Sequence, residues 1–223
     1  MPGIEILYED NSIIIAEKPA GIATQSANVR QPDCVSILKD HIRRSDPQIK
    51  REPYIGVIHR LDQPVAGLLV FAKTPKAAAT LSASVSTDMF NKHYRAVVEG
   101  IVDVRKETKL IDMMYKDSRD NRAVISDQAP QNAKLKEASL IYRTERILPE
   151  KERSILSITL LTGRFHQIRA QLSHMGHPIV GDRKYNAVTS YPSGIALIAD
   201  RLEFIHPDSG EKVEKVVDFS FAL

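Results

Sequence analysis

The chain has 223 residues, 43% of them hydrophobic, a formal net charge of +3 at pH 7 and a single cysteine. This length and apolar content predict one sizeable domain with a core, and the mildly basic balance permits a polyanionic partner without requiring one. The single cysteine excludes an internal disulfide, and the sequence has neither an apolar run of membrane-spanning length nor a secretory signal, so we expect a cytoplasmic protein without membrane association.

Two short strands and a helix are predicted in the first part of the chain. Residues 4–8 and 12–16 are predicted to be strands, with Asp10-Asn11 as the turn between them. Residues 35–44 have helical spacing, and Asp33 is the candidate N-cap. Cys34 lies in this helical pattern, so we expect its thiol to be buried.

A basic segment overlaps the end of this helix. Residues 39–51 hold five Lys or Arg side chains against two Asp side chains. Such a cluster is typical of a solvated helix end and loop, and it is also typical of an arm that contacts phosphates beside an active site. The residues alone leave both interpretations open.

The most informative stretch is residues 54–74, YIGVIHRLDQPVAGLLVFAKT. It predicts an apolar strand, a charged turn His59-Arg60-Leu61-Asp62, a bend at Gln63-Pro64 and a second strand over residues 66–72. The second strand is apolar on both faces, which favours the middle of a covered sheet. Asp62 would then lie at a strand end over a hydrophobic floor, although many Asp residues in such turns only bond their own backbone.

The middle of the chain is predicted to be mainly strands. Thr74 as N-cap and Pro75 at the first helical position predict a helix ending near Asp88. Strands are expected over residues 91–100, where Tyr94 alternates with His93, and over 110–115, 138–147 and 154–161. We therefore predict an α+β fold, with a largely antiparallel mixed sheet and packed helices, in a single domain covering residues 1–223.

The second informative stretch is residues 160–185, LLTGRFHQIRAQLSHMGHPIVGDRKY. It predicts a helix over residues 165–175 with an apolar stripe, and Gly176 is suited to the position after its C-cap. Arg169 borders that stripe. Its guanidinium must either reach solvent or find an acceptor, because an unpaired buried charge costs several kcal/mol, on the order of 3 to 5.

Several chemistries fit the sequence poorly. His174 and His177 have no third ligand at a metal-binding spacing, and no HExxH motif occurs. There is no Gly-rich phosphate loop and no G-x-S-x-G nucleophile elbow. A two-carboxylate glycosidase would need a partner for Asp62. Asp182 is the other candidate, and we expect it to cap a turn.

Both informative stretches resemble the RluA family of pseudouridine synthases. HRLD with GLLVFAKT and TGRFHQIR with GHPIVGD and Tyr185 are similar to its two motif blocks. EDNSIIIAEKPAGI and the C-terminal IALIADRLEFIHPDSGE are similar to its opening and closing segments, so the resemblance runs from about Ile4 to Glu211. The chain departs from the family pattern at Val65-Ala66, where Thr-Ser is usual, and at Ile198, where His is usual.

The resemblance implies a role for each of these residues. Asp62 would be the catalytic residue, Arg169 would pair with it, and Tyr94 would stack on the target base. Arg60 would take the place of the extruded nucleotide in the RNA stack. Further RNA contacts are expected at Arg164, Lys92 and Ile168.

The implied function is isomerisation of uridine to pseudouridine in structured rRNA or tRNA, with the target base flipped out of its stack. No metal and no cofactor are expected, and a monomer is the default. Only three residues precede Ile4, so we expect the small N-terminal RNA-binding domain of many relatives to be missing. The alternatives are a catalytically silent RNA-binding protein of the same fold and, more remotely, a glycosidase that releases uracil.

Overall fold

The computed structural model describes residues 3–28 and 31–222. Their contacts divide the chain into two compact units. The first comprises the described residues of Met1–Asn91 and Ala199–Phe219, and the second those of Lys92–Ile198 and Ser220–Leu223. A single domain over residues 1–223 stays a prediction.

Most of the regular secondary structure in the described chain is β-strand. In chain order the strands are β1 Glu5–Glu9, β2 Ile13–Lys18, β3 Gly56–Val57, β4 Ala66–Ala72, β5 Phe90–Glu99, β6 Thr108–Asp117, β7 Arg122–Ile125, β8 Lys136–Leu148, β9 Arg153–Leu160, β10 Leu197–Ile205 and β11 Lys212–Val216. The helices are α1 Cys34–Ser45, α2 Pro75–Ser84 and α3 Gln167–His174.

In the first unit the strands follow the order β1-β2-β4-β10, with β3 also on β4 and β11 also on β10. The pairs β1–β2, β2–β4, β3–β4 and β10–β11 are antiparallel. Every residue of β4 after Ala66 is buried, as the run of apolar residues on both faces predicts. At Gly67, with φ of 121°, a side-chain carbon would lie 2.2 Å from the carbonyl oxygen of Ala199, so only glycine fits there.

Local capping chemistry fixes the starts of both helices of this unit. The side chain of Asp33 accepts a hydrogen bond from the backbone N–H of Ser36, whose hydroxyl in turn accepts one from the N–H of Asp33. This is a capping box, and it begins α1 at Cys34. Thr74 accepts a hydrogen bond from the N–H of Ala77, and Pro75 follows it at the first position of α2.

In the second unit the strand order is β5-β9-β8-β6-β7, and all four pairings are antiparallel. The long hairpin of β8 and β9 turns through a short 3₁₀ segment, Pro149–Lys151. Helix α3 ends at a C-cap, Met175, and the following Gly176 has φ of 84°. The glycine therefore stands where the sequence predicted it.

The α+β fold class with a largely antiparallel sheet is confirmed. Strand β7 was not predicted, because its four residues are too few and too mixed in polarity to show a pattern. The predicted strand before HRLD is present but has only two residues. One local prediction was wrong. Helix α2 ends at Ser84, four residues before the expected Asp88.

Candidate active-site residues

Asp62 lies in the turn between β3 and β4, and its side chain is half-buried. The backbone carbonyl of Asp62 accepts a hydrogen bond from the N–H of Val65 at 3.0 Å, which closes the turn just before β4. Asp62 thus lies four residues before β4, whose residues after Ala66 are all buried. The predicted turn before a buried strand is confirmed, and the apolar floor beneath the carboxylate stays a prediction.

His59, three residues earlier, ties this turn to β4. Its Nε2 accepts a hydrogen bond from the backbone N–H of Val70 at 3.3 Å, so its other ring nitrogen carries the proton in the neutral form. Its ring meets Phe90 edge to face, with ring centres 5.4 Å apart. The imidazole therefore contacts β4 just beyond the point where the backbone pairing of β3 with β4 ends.

Residues 18–24, here called the cradle loop, hold the main chain on both sides of Asp62. The hydroxyl of Thr24 donates to the carbonyl of Leu61 at 3.0 Å and accepts from its N–H at 3.1 Å. On the other side, the N–H of Gly21 donates to the carbonyl of Gln63 at 2.8 Å, and the Gln63 amide donates back to the Gly21 carbonyl at 2.9 Å. The shape of the turn is therefore fixed by residues far away in the sequence.

The third element of the cradle loop is the ammonium group of Lys18. This side chain is fully buried, with 0% exposure. Its Nζ donates to the carbonyls of Pro19 at 3.0 Å, Ile22 at 2.7 Å and Gln63 at 3.1 Å. Three acceptors use all three of its N–H groups, which is how a protein can retain a buried cation.

Lys18 also acts on its surroundings as a charge. Burial lowers the pKa of Lys18 to about 8, against the opposing attraction of the Cys34 thiolate form and the Asp62 carboxylate. The ammonium is therefore charged at neutral pH and stabilises the ionised form of Asp62. No role for Lys18 was predicted from the sequence, because its contact with residue 63 spans 45 positions. The only signal was its place in EKPAGI.

In the second unit, Arg169 is held by Asp182. The guanidinium Nε donates to Oδ2 at 2.6 Å and Nη2 donates to Oδ1 at 2.8 Å, and the two residues are 5% and 1% exposed. Such a forked pair fixes both distance and orientation. Of the two outcomes that the sequence left open for Arg169, solvent or an acceptor, the structure shows an acceptor.

The prediction for Asp182 was wrong. A 3₁₀ turn, Arg183–Tyr185, does begin after this residue, but the Asp182 side chain makes no capping hydrogen bond. Its carboxylate instead pairs with Arg169, thirteen residues away. Leaving that buried guanidinium without a counter-charge would cost more free energy than leaving the turn without a side-chain cap.

Tyr185 extends this cluster. Its ring lies below two guanidinium groups, 5.0 Å from that of Arg169 and 5.5 Å from that of Arg122. Its hydroxyl accepts from the N–H of Ala123 at 2.7 Å and is hydrogen-bonded to Nδ1 of His166 at 2.9 Å. The motif residue Tyr185 is thus a buried support rather than an exposed contact, with 1% exposure.

His166 carries an unusual backbone and a shifted pKa. Its φ of 52° is left-handed, an uncommon conformation for a side-chain-bearing residue. Burial, followed by the positive charges of Arg169 and Lys184, lowers the pKa of His166 to about 3. The imidazole is therefore neutral across the physiological range and keeps a fixed hydrogen bond to Tyr185.

The other predicted site residues differ in exposure. Tyr94 lies on β5 beside Ile158 of β9 and is 5% exposed, and its neighbours alternate between faces as expected. Arg60 is exposed in the HRLD turn. The half-buried Arg164 donates from Nε to the carbonyl of Glu137 at 2.8 Å.

Lys92 and Ile168 are 6% and 5% exposed, so they offer little surface to a phosphate. Burial also lowers the pKa of Lys92. Their contact with RNA stays a prediction, as does the pairing of Asp62 with Arg169, whose two residues belong to different units.

The basic segment 39–51 carries several ion pairs. Lys39 contacts Glu52 at 3.1 Å, and Arg43 contacts Asp40 at 2.8 Å and also Glu52. These exposed pairs contribute little to stability, but they reduce the positive field of the segment. Its role as an RNA-contacting arm stays a prediction.

Two of the three departures from the family pattern fall in buried positions, and the third, Ala66, is half-buried. Val65 is 3% exposed and Ile198 is 0% exposed. An apolar side chain needs no hydrogen-bond partner there, whereas the usual Thr and His would. The buried thiol expected at Cys34 is confirmed, with 0% exposure, and burial raises its pKa to about 11.

Within residues 3–28 and 31–222, no group of three or more His, Cys, Asp or Glu side chains is placed to hold a metal ion. Among the helices of the same residues, none is long and apolar enough to cross a membrane.

The sequence agrees with a known family over most of its length. Residues 12–174 match the sequence profile of the family described as RNA pseudouridylate synthase. The chain belongs to this family of RNA pseudouridylate synthases. The resemblance found in HRLD and HQIR is therefore confirmed at the level of the family, and with it the class of enzyme, an isomerase.

Relatives in the family support this membership. The chain is 32% identical over 221 residues to the ribosomal large subunit pseudouridine synthase D of Zymomonas mobilis, covering 95% of this chain and 68% of the relative. It is 32% identical over 219 residues to the protein of the same name in Xylella fastidiosa, covering 92% of this chain and 62% of the relative. The chain thus spans about two thirds of the length of these pseudouridine synthases.

The fold is shared with a solved human protein, RNA pseudouridylate synthase domain containing 4. The TM-score is 0.73 at 20% identity, and the match covers 97% of this chain and 88% of that one. None of the relatives and structures described here has a name that favours a catalytically silent RNA-binding protein.

Proposed function

We propose that this chain isomerises uridine to pseudouridine in RNA and that Asp62 is its catalytic residue. The observation that carries the proposal is the HRLD turn, whose main chain is held by the cradle loop at Leu61 and Gln63, directly on both sides of Asp62. In a pseudouridylate synthase, a half-buried carboxylate fixed in this way is suited to act on a substrate ribose.

The reaction is balanced within the substrate. The bond between N1 of uracil and C1′ of ribose breaks, the base turns, and C5 forms a bond to the same C1′. The hydrogen of C5 leaves as a proton, and N1 gains one. A single carboxylate can serve as a nucleophile on C1′ or as a base on the sugar, and both roles remain open. Neither role calls for an oxidant, a metal or an organic cofactor.

Supporting roles are proposed for four residues. Arg169 would hold Asp62 ionised, and Tyr94 would stack on the flipped uracil, since an aromatic face accepts any base. The exposed Arg60 would fill the gap that the flipped nucleotide leaves in the RNA stack. Arg164 has guanidinium N–H groups beyond the one bound to Glu137, and these suit a phosphate.

The substrate we propose is ribosomal RNA, since relatives of the chain are named for the large ribosomal subunit. Transfer RNA remains the second candidate. Because extruding a base costs a few kcal/mol, about 2 to 4, loops and bulges are the preferred sites. We further propose that the protein acts as a monomer in the cytoplasm.

Tritium release from RNA labelled at C5 of uracil tests this function. Wild-type protein should release tritium, Asp62→Asn should release none above background, and Asp208→Asn, a change at an exposed aspartate, should match wild type. RNA binding by Asp62→Asn should be retained. Binding without release by wild type would support the silent alternative instead, and free uracil among the products would indicate a glycosidase.

A further inference from the structure

A second basic surface lies in the second unit, apart from the segment 39–51. It is formed by the hairpin of β6 and β7 together with the 3₁₀ turn Arg183–Tyr185. We call it the hairpin face, and it consists of Lys116, Arg119, Arg122, Arg183 and Lys184. Four of these side chains are exposed and Arg122 is half-buried.

Direct contacts join the two parts of this face. Nζ of Lys184 donates to the carbonyls of Asp120 and Asn121, each at 3.2 Å, so the 3₁₀ turn is attached to the tip of the hairpin. Arg122 lies over the ring of Tyr185, within the same turn. The five cations therefore belong to two segments that are in direct contact, the hairpin of β6 and β7 and the 3₁₀ turn.

Three cations of the hairpin face, Lys116, Arg122 and Lys184, contact neutral groups. Nζ of Lys116 lies 4.5 Å from the ring centre of Phe165, and Arg122 lies over Tyr185. Ring faces and carbonyl oxygens position a cation without cancelling its charge. In the segment 39–51, by contrast, Lys39 and Arg43 contact carboxylates.

The local charge balance of the hairpin face is positive. Residues 116–122 and 183–184 carry these five cations against two carboxylates, Asp117 and Asp120. Lys184 and Lys116 also lie near the imidazole of His166, and their charges add to burial and Arg169 in lowering its pKa, against the opposing charge of Asp182. A positive potential at this place favours a polyanion.

We propose that the hairpin face binds the phosphate backbone of the RNA substrate. The inference rests on the proposed function, which supplies the partner. Phosphate contacts of this kind position the RNA and add affinity without reading its sequence. They predict a binding constant that falls steeply with salt, and a loss of about one in the slope of log K against log salt for each cation removed.

The test compares two triple variants with the same change in charge. The first, Arg119→Gln, Arg183→Gln and Lys184→Gln, alters the hairpin face, and the matched control, Lys39→Gln, Arg43→Gln and Arg44→Gln, alters the segment 39–51. Binding to transcribed large-subunit ribosomal RNA is measured by filter retention from low to high salt. Thermal melting verifies that both variants are folded.

The hairpin variant should bind about tenfold or more weakly, with a salt slope smaller by about 2 to 3, and the control should change much less. Its KM should rise while kcat at saturating RNA stays within about twofold of wild type. Exchanging the same three residues for the other cation, as Arg119→Lys, Arg183→Lys and Lys184→Arg, should restore binding, since the contact depends on charge.

Binding by the hairpin variant as tight as that of wild type, with an unchanged salt slope, would overturn the inference while tritium release by wild type still supports the proposed function. Weak binding that the charge-conserving variant does not restore would also overturn it, because it would indicate a structural defect of the hairpin. If wild type neither binds the RNA nor releases tritium, both the proposed function and this inference fail.

Discussion

The two motif blocks are held in different ways. The cradle loop grips the main chain around Asp62 through hydroxyl, amide and ammonium donors. Arg169 is instead fixed through its own side chain, by a buried forked pair with Asp182. The turn of Asp62 therefore keeps its shape whatever the protonation state of that carboxylate, whereas the place of Arg169 depends directly on a charge.

This contrast separates activity from stability. Damage to the cradle loop should displace a catalytic group with a moderate effect on folding, because its bonds are individually modest. Damage to the Arg169 pair should leave a buried charge without its partner, which is among the largest penalties a single substitution causes.

Asp182→Ala should produce the largest loss of stability. It leaves the guanidinium of Arg169, which is 5% exposed, without its forked partner. The free energy of unfolding should fall by about 3 to 5 kcal/mol. Urea denaturation followed by circular dichroism measures this change.

The double variant Arg169→Met with Asp182→Leu removes both charges and should recover most of that loss, because the desolvation cost disappears with the ions. Asp208→Ala, at an exposed site, should leave the unfolding midpoint unchanged. A midpoint for Asp182→Ala equal to that of wild type would show that the buried pair contributes nothing to folding.

Lys18→Met should reduce the catalytic rate strongly and cause a smaller loss of stability than Asp182→Ala. Three carbonyls lose their donor, so stability should fall by about 2 kcal/mol. The rate constant of single-turnover tritium release should fall more than tenfold, which corresponds to about 1.4 kcal/mol in the barrier. Wild-type activity should also decline as the pH rises through about 8, because the ammonium beside Asp62 then loses its proton.

Thr24→Val is the matched control for the charge of Lys18. It removes the two hydrogen bonds to Leu61 from the same loop but leaves the ammonium in place. Its rate should fall at every pH while the decline above about pH 8 persists. If Lys18→Met retains that decline, another group causes it, and the proposed electrostatic role of Lys18 is wrong.

His166→Asn should have the smallest effect, on the acid side of the stability profile. The pKa of His166 is lowered to about 3 in the folded protein, below the value of an unfolded His, so the unfolded chain binds more protons as the pH falls. Stability is therefore lost on acidification from about pH 6.5 towards 3. Asparagine tolerates the left-handed backbone, and its variant should lose less melting temperature between pH 7 and pH 5.

Strand bounds and helix starts that depend on residues close together in the chain were predicted well from the sequence. The bounds of β4, residues 66–72, follow from an unbroken apolar run after Gln63-Pro64. The starts of α1 and α2 follow from Asp33 and Thr74, whose side chains act within three residues along the chain. Such short-range chemistry can be read directly from the residues.

Contacts between residues that are distant in the chain could not be predicted from the sequence. Nothing near Lys18 indicates that its ammonium binds Gln63, and nothing near Asp182 indicates the guanidinium it holds. Only the resemblance linked the two motif blocks, and it named Asp62 and Arg169 without the residues that support them. A buried polar group finds its partner through the fold, so its role shows only in three dimensions.

The buried Cys34 gives this protein a native reporter. It is the chain's only cysteine, its N–H is bonded to the carbonyl of Ala23 in the cradle loop, and its thiol is inaccessible to solvent. A maleimide or a disulfide reagent can reach the sulfur only when this region opens. The labelling rate in native buffer would therefore measure how often the cradle loop opens, with no engineered probe.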